Sequence, residues 1–123
     1  LAKSSGPNQE KEYYPIDGWK LDQSSVCPDG YRLRPHVVWF GEDVPSYEKA
    51  AGLLSSADVL IVIGTSLQVF PAAGLIQFAS NAQQKFIIDP KADELNVPSD
   101  FIRLNATASD GVTTVIKELK RKQ

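Results

Sequence analysis

The sequence predicts an α/β fold, part of a doubly wound parallel sheet with flanking helices. Three observations predict it. From residue 36 onward, short runs rich in β-branched and aromatic residues alternate with stretches whose apolar residues recur at helical spacing, the pattern of βαβ units. One run, Val59-Leu60-Ile61-Val62-Ile63, is apolar without a break, as expected of a parallel strand covered on both faces. Gly64-Thr65-Ser66 follows at once, placing small residues at the strand end where open α/β sheets form their ligand crevice.

Residues 1–33 are polar and punctuated by Gly6-Pro7, Pro15, Gly18, Pro28 and Gly30. They read as an irregular surface segment with a short hairpin around residues 13–21. Residues 36–40, His-Val-Val-Trp-Phe, read as a strand from their β-branched and aromatic content. Pro45-Ser46 opens a helix with Ser46 as its N-cap, and Tyr47, Ala50, Ala51 and Leu54 form one apolar stripe at i, i+3, i+4 and i+7. After the 59–63 strand, Pro71 suits the first turn of a helix over residues 72–80. Strands are expected over 85–88 and 101–104. A last helix is expected over about 110–120, with Val112, Val115, Ile116 and Leu119 facing inward. These four strands make only part of a doubly wound sheet.

Composition narrows the function classes. A chain of 123 residues suffices for one domain that buries roughly two-thirds of its unfolded surface. Its 42% hydrophobic and 23% charged content argues against disorder of the whole chain. The net charge is −2, and the basic trio Lys120, Arg121 and Lys122 suits the solvated end of a helix, so no nucleic-acid partner is expected. No apolar run approaches the ~20 residues of a membrane span, and no membrane partner is expected. The start at Leu1 lacks both Met and an apolar leader core, so it reads as an upstream boundary rather than a signal peptide. The single Cys excludes an internal disulfide framework and fits a reducing cytoplasm.

Two stretches carry the chemistry. Gly64-Thr65-Ser66 offers a backbone that can approach a phosphate closely and two hydroxyls that can donate to phosphate or ribose oxygens. The same residues would equally serve a plain turn. Asp89 ends the 85–88 strand at the equivalent edge, where a carboxylate can accept from two ribose hydroxyls; it could also be a surface Asp in a turn before Pro90.

The runs Arg34-Pro35-His36-Val37-Val38-Trp39-Phe40-Gly41-Glu42 and Gly64-Thr65-Ser66-Leu67-Gln68-Val69-Phe70-Pro71-Ala72-Ala73-Gly74, in this order and spacing, strongly resemble the carboxyl half of a sirtuin (Sir2 family), the NAD-dependent protein-lysine deacylases. The resemblance covers nearly all of residues 13–121. It implies a Rossmann-like NAD-binding fold truncated at its N-terminus, with 1–33 a remnant of the small subdomain and connector and 34–123 the carboxyl half of the NAD-binding domain. It also implies a reaction that moves an acyl group from lysine to the ADP-ribose of NAD and releases nicotinamide. The family's glycine-rich segment and catalytic His-Gly pair do not occur in these residues. The catalytic His is expected upstream of Leu1, in a missing N-terminal half of the same fold, and the chain by itself is expected to be inactive.

Through the resemblance, Gly64, Thr65 and Ser66 contact the NAD ribose and phosphates. Asp89, where sirtuins usually carry Asn, contacts the ribose and disfavours an added 2′-phosphate. Thr107 and Ala108, in the small-residue stretch before the last helix, contact adenine, although Thr107 or Ser109 also reads as an ordinary N-cap. The acyl-lysine peptide is the expected substrate, pairing by strand addition with Val38, Phe40, Gly41 and Glu42 and with Gln68, Val69 and Phe70. The Val38 carbonyl would accept the substrate amide N–H, and Phe40 and Val69 would line the acyl tunnel. Cys27 stands where many sirtuins carry a zinc knuckle, but structural zinc needs four ligands and this chain has one Cys and one His. The region resembles the zinc-less bacterial branch, with Tyr13, Tyr14 and Trp19 as substitute contacts, and no metal is expected. His36 is followed by Val37 rather than Gly and is assigned a structural role. The alternatives are a non-catalytic ADP-ribose-binding module, the middle domain of a thiamine-diphosphate enzyme, or a structural partner completing another subunit's sheet. The Phe40-Gly41-Glu42 stretch argues against the thiamine-diphosphate reading.

Overall fold

The computed structural model describes residues 1–7, 13–16, 18 and 20–121. The chain divides into two compact units, Leu1–Asp43 and Val44–Gln123. Trp19 and Lys122 lie outside the described residues.

In the first unit, β1 (Ala2–Ser4) is the middle strand of a small antiparallel sheet, flanked by β2 (Tyr13–Tyr14) and β3 (Leu33–Pro35). Ala2 lies opposite Tyr14 and Pro35, and Lys3 opposite Arg34. Ala2 and Ser4 turn inward and are buried together with Cys27, whose Sγ lies 3.6 Å from the Ser4 hydroxyl. That hydroxyl also accepts the Gly6 N–H at 3.0 Å, so the one buried polar side chain on β1 is satisfied. Of the expected hairpin over 13–21, Tyr13–Tyr14 pairs with Ala2–Lys3, and residues 17 and 19 lie outside the described residues. Far from being irregular throughout, residues 1–33 supply two strands and the first residue of a third.

The expected strand over residues 36–40 is absent. Several of its backbone groups are bonded outside any ladder. The Val37 N–H donates to the Pro35 carbonyl at 2.9 Å, a three-residue turn, and the Val37 carbonyl accepts from Arg34 at 3.2 Å. The last sheet-like bond is His36 N–H to Leu1 O at 3.2 Å. Strand propensity needs a neighbouring strand to act on, and among the described residues none pairs with this run after Pro35.

The second unit is built on β4 (Val59–Ile63), β5 (Gln84–Asp89) and β6 (Phe101–Asn105), a parallel sheet in that spatial order. Two clusters cover its faces. On one, Leu60, Val62, Ile87 and Phe101 join Ala79, Ala82, Ala92 and Val97, with Leu54, Leu67 and Ile76 against them. On the other, Phe86 and Ile88 meet Val115, with Val112 and Leu119 alongside. The central strand β5 is therefore buried on both sides, with Phe86, Ile87 and Ile88 at 1% exposure or less. Burying three such side chains stabilises the fold by roughly 1.5–3 kcal/mol each.

Strand β4 departs from its expected double coverage. Among the described residues it has a neighbour on one side only, and while Leu60 and Val62 are buried, Ile61 and Ile63 remain about 40% exposed on the other face. The helix α1 (Tyr47–Ser55) forms as expected, with Tyr47, Ala50, Ala51 and Leu54 half-buried. Ser46 stands at its N-cap without making a side-chain capping bond. Residues 72–80 form a 3-10 helix, Ala72–Phe78, rather than an α-helix. Its tighter bonds, such as Gly74 N–H to Pro71 O at 2.9 Å, bring Ala73 and Gly74 into the interior, where small side chains permit close approach. Tyr47 and Phe78 meet edge to face at 6.2 Å.

The helix α2 (Ala108–Arg121) starts two residues earlier than expected. Val112, Val115 and Leu119 face the sheet, but Ile116 is 47% exposed, because its position falls one step round the helix, beyond the stripe that β5 covers. Lys120 and Arg121 stand in the last turn, favourable against the helix dipole. The crossing is tight at Gly111, where an added Cβ would lie 2.2 Å from Ile88 Cγ2. Gly111→Ala is therefore expected to destabilise the fold by about 1–3 kcal/mol. A lowered thermal-unfolding midpoint, partly restored by adding Ile88→Val, is the outcome that checks it.

Candidate functional site

The ends of β4, β5 and β6 bring together the residues singled out in the sequence. In a parallel sheet all carboxyl ends lie on one edge, so Gly64 after β4, Asp89 at the end of β5 and the Ala106–Ala108 stretch after β6 share it. The Gly64 N–H continues the ladder, donating to the Ile88 carbonyl at 3.0 Å. Gly64 then takes φ +63°, a conformation that costs other residues roughly 1–2 kcal/mol, and the chain turns off the sheet. The Thr65 hydroxyl accepts the Leu67 N–H at 3.1 Å, while Ser66 is exposed. Leu67 itself has φ +55°; its partly buried side chain packs against the cluster that holds Leu60, Val62 and Ile87, and that packing holds the backbone in place.

Asp89 is half-buried and uses one oxygen to accept the Lys91 N–H at 2.9 Å, a local Asx turn. Its register partner is Asn105, which exchanges two hydrogen bonds with Asp93: the Asp93 N–H donates to Asn105 Oδ1 at 3.1 Å, and the Asn105 amide donates to the Asp93 carboxylate. Sequence reasoning missed this pair. The signal for Asn105 was present, a polar residue closing a strand at the ligand edge, but nothing in the sequence joins it to Asp93. Behind the pair, Arg103 donates to the carbonyls of Ala92, Leu95 and Val97 at 2.7, 2.8 and 3.2 Å, fixing the loop that carries Asp93.

Thr107 and Ala108 lead into α2. The Thr107 hydroxyl donates to the Asp110 carboxylate at 2.8 Å and accepts the Asp110 N–H at 3.3 Å, so Thr107 is an N-cap, as its alternative reading held. Gln68, Val69 and Phe70 are exposed, Phe70 at 70%.

In the first unit, Val38, Trp39 and Phe40 project into solvent, Phe40 at 91% exposure. The Glu42 N–H donates to the Trp39 carbonyl at 3.1 Å, closing a turn through Gly41 at φ +87°. The Glu42 carboxylate accepts the Trp39 N–H at 3.1 Å, Lys3 Nζ at 3.3 Å and Arg34 at 2.5 Å. His36 is exposed on the same loop. Among the described residues, no group of three or more His, Cys, Asp or Glu is placed to hold a metal ion, and no helix is long and apolar enough to cross a membrane.

The model of the Sir2 family matches residues 4–71. An NAD-dependent protein deacylase of Bacteroides thetaiotaomicron is 37% identical over 115 residues, 94% of this chain and 47% of that protein. One from Helicobacter pylori is 36% identical over 112 residues, 89% of this chain and 48% of its own length. Among solved structures, a Sir2 complex with p53 peptide and NAD+ is 31% identical with a TM-score of 0.61, over 75% of this chain and 40% of that one. An ADP-ribose complex of a Sir2 homologue mutant covers 98% of this chain and 49% of its own at a TM-score of 0.70; at 24% identity it shows the fold alone. The chain belongs to the Sir2 family. It spans about half the length of the curated relatives it matches, and the thiamine-diphosphate reading is set aside.

The Glu42 carboxyl is held below the usual carboxylate range, first by the Trp39 N–H and then by Lys3 and the charge of Arg34, with burial opposing. A folded-state value below the unfolded one gives stability present in full above the unfolded value and lost as pH falls through the folded one. The loop over 37–42 is thus expected to hold at neutral pH and to loosen on acidification below about pH 4. The Trp39 amide resonance, followed from pH 6 downward, checks this; a resonance unmoved as Glu42 protonates contradicts it.

Proposed function

We propose that this chain is the nucleotide-edge and peptide-contacting portion of an NAD-dependent protein-lysine deacylase. The observation that carries the reading is the convergence of Gly64, Thr65, Ser66, Asp89, Thr107 and Ala108 on the carboxyl edge of one parallel sheet, in a chain of the Sir2 family. Ligands of open α/β sheets bind outside that edge.

In this reading the Gly64–Ser66 backbone and hydroxyls hold the ribose and phosphates of NAD. Asp89 accepts from the adenosine ribose with the oxygen left over from its Asx turn. The Thr107 hydroxyl is committed to its cap, so Thr107 and Ala108 act on adenine through their backbone. NAD, when bound, supplies the ADP-ribose that accepts the acyl group and the nicotinamide that leaves. The resemblance assigns Val38, Phe40, Gly41 and Glu42, and likewise Gln68, Val69 and Phe70, to the acyl-lysine peptide through backbone pairing and exposed apolar side chains. No residue of the chain is given the role of proton-accepting base, which must stand within hydrogen-bond reach of the ribose. The zinc-less state and a cytoplasmic location belong to the same reading, supported by the single Cys.

Calorimetric titration with ADP-ribose tests the nucleotide edge. Saturable binding is expected, with the 2′-phosphorylated analogue at least about tenfold weaker, a preference that Asp89→Asn narrows. Absence of saturation would sink the reading. The 123-residue chain alone is expected to release no nicotinamide from NAD and acetyl-lysine peptide; stoichiometric deacylation that survives His36→Ala would overturn the assignment of catalysis to residues outside it.

A further inference from the structure

We infer that Glu42 is a positioning residue: its carboxylate fastens the loop over 37–41 to β1 and β3, and so presents Val38 and Phe40 without itself touching the peptide. The inference rests on the reading of that loop as a peptide-binding segment, and it changes the role that sequence alone suggested for Glu42.

The geometry is that of a clasp. One Glu42 oxygen takes Arg34 at 2.5 Å; the other takes Lys3 at 3.3 Å and the Trp39 N–H at 3.1 Å. Arg34 lies on β3 and Lys3 opposite it on β1, so both cations are delivered by the sheet. Arg34 also donates to the Val37 carbonyl at 3.2 Å, which grips the loop at its start while Glu42 grips it at its end. Meanwhile the Glu42 N–H returns to the Trp39 carbonyl at 3.1 Å. Both Glu42 oxygens are thus engaged inside the protein, with the side chain about one-third exposed.

The loop needs such a device. Val37, Val38, Trp39 and Phe40 are 44%, 46%, 57% and 91% exposed, so apolar burial does not hold them. The residues form no strand, so a ladder does not hold them either. Charge-assisted hydrogen bonds to backbone and side chain are what remain, and they are the stronger kind. A peptide adding along this loop meets a backbone already fixed, which removes an ordering cost from binding.

The test uses the 123-residue chain, a fluorescein-labelled acetyl-lysine peptide, its unacetylated twin and ADP-ribose. Glu42→Gln keeps an oxygen for the Trp39 N–H but loses the charge. It is expected to speed amide exchange at Trp39, Phe40 and Gly41 by about tenfold or more, and to weaken the acetyl-lysine peptide comparably. Exchange in β4, β5 and β6 and the ADP-ribose affinity should not move. Arg34→Gln should reproduce both effects, and the double variant should be no worse than the weaker-binding single. Weakened peptide binding with unchanged exchange at Trp39–Gly41, or additive losses in the double variant, would mean that Glu42 meets the peptide directly and would overturn the inference alone. No binding of the acetyl-lysine peptide by the unsubstituted chain would overturn the functional reading, and the inference with it.

Discussion

Strand β5 is the element on which the second unit depends. Phe86 and Ile88 point to one side, Ile87 to the other, and all three are removed from water. A parallel strand in this position must be covered on both faces, and the rest of the unit supplies that cover. Helix α2 lies on the Phe86 and Ile88 face, approaching so closely at Gly111 that no Cβ fits. The opposite face is closed by the alanines and Val97 of the connecting segments. With β5 fixed and β4 and β6 in register on either side, the carboxyl ends of the strands are forced onto one edge. The site residues are neighbours because of the sheet, and only secondarily because of contacts with one another.

The first unit is held by different means. Its buried apolar surface is small, with Ala2 and Cys27 as its buried hydrophobic residues among those described. Polar bonds do more there: Ser4 to Cys27 and Gly6, Ser5 to Arg32, and the Lys3–Glu42–Arg34 group. Isolated surface ion pairs contribute about 0–1 kcal/mol. This group differs because one carboxylate joins two cations and a backbone N–H, so a change at any member is felt by the others.

What the sequence disclosed, and what it withheld, follows from the range of the interactions. The 59–63 strand, the two helices and the position of Gly64-Thr65-Ser66 were legible, since a run of apolar residues and its period are local facts. Asp89 was legible for the same reason, as the polar residue that ends a strand. The 36–40 run misled because Val, Trp and Phe favour a strand only where a partner strand is available, and among the described residues no strand pairs with it. The exposed faces of Ile61, Ile63 and Ile116 misled in the same way: apolar character was read as burial, whereas the one-sided pairing of β4 among the described residues and the width of the α2 contact decided otherwise. Glu42 with Lys3, 39 residues away, and Asn105 with Asp93 are pairings that only the folded chain reveals. Leu67 at positive φ had no sequence signal, because leucine gives no hint of that conformation.

Leu67 joins the ligand edge to the interior in a way that has a thermodynamic side. Its backbone belongs to the loop after Gly64, and its partly buried side chain packs against the cluster that holds Leu60, Val62 and Ile87. The loop therefore cannot relax without withdrawing a side chain from the core, and the core cannot melt without releasing the loop. In the proposed reading, occupancy of the Gly64–Ser66 loop is thus coupled to the folding equilibrium of the second unit. A molecule held there is registered as resistance of the entire sheet to heat and denaturant, rather than as stiffening of one turn.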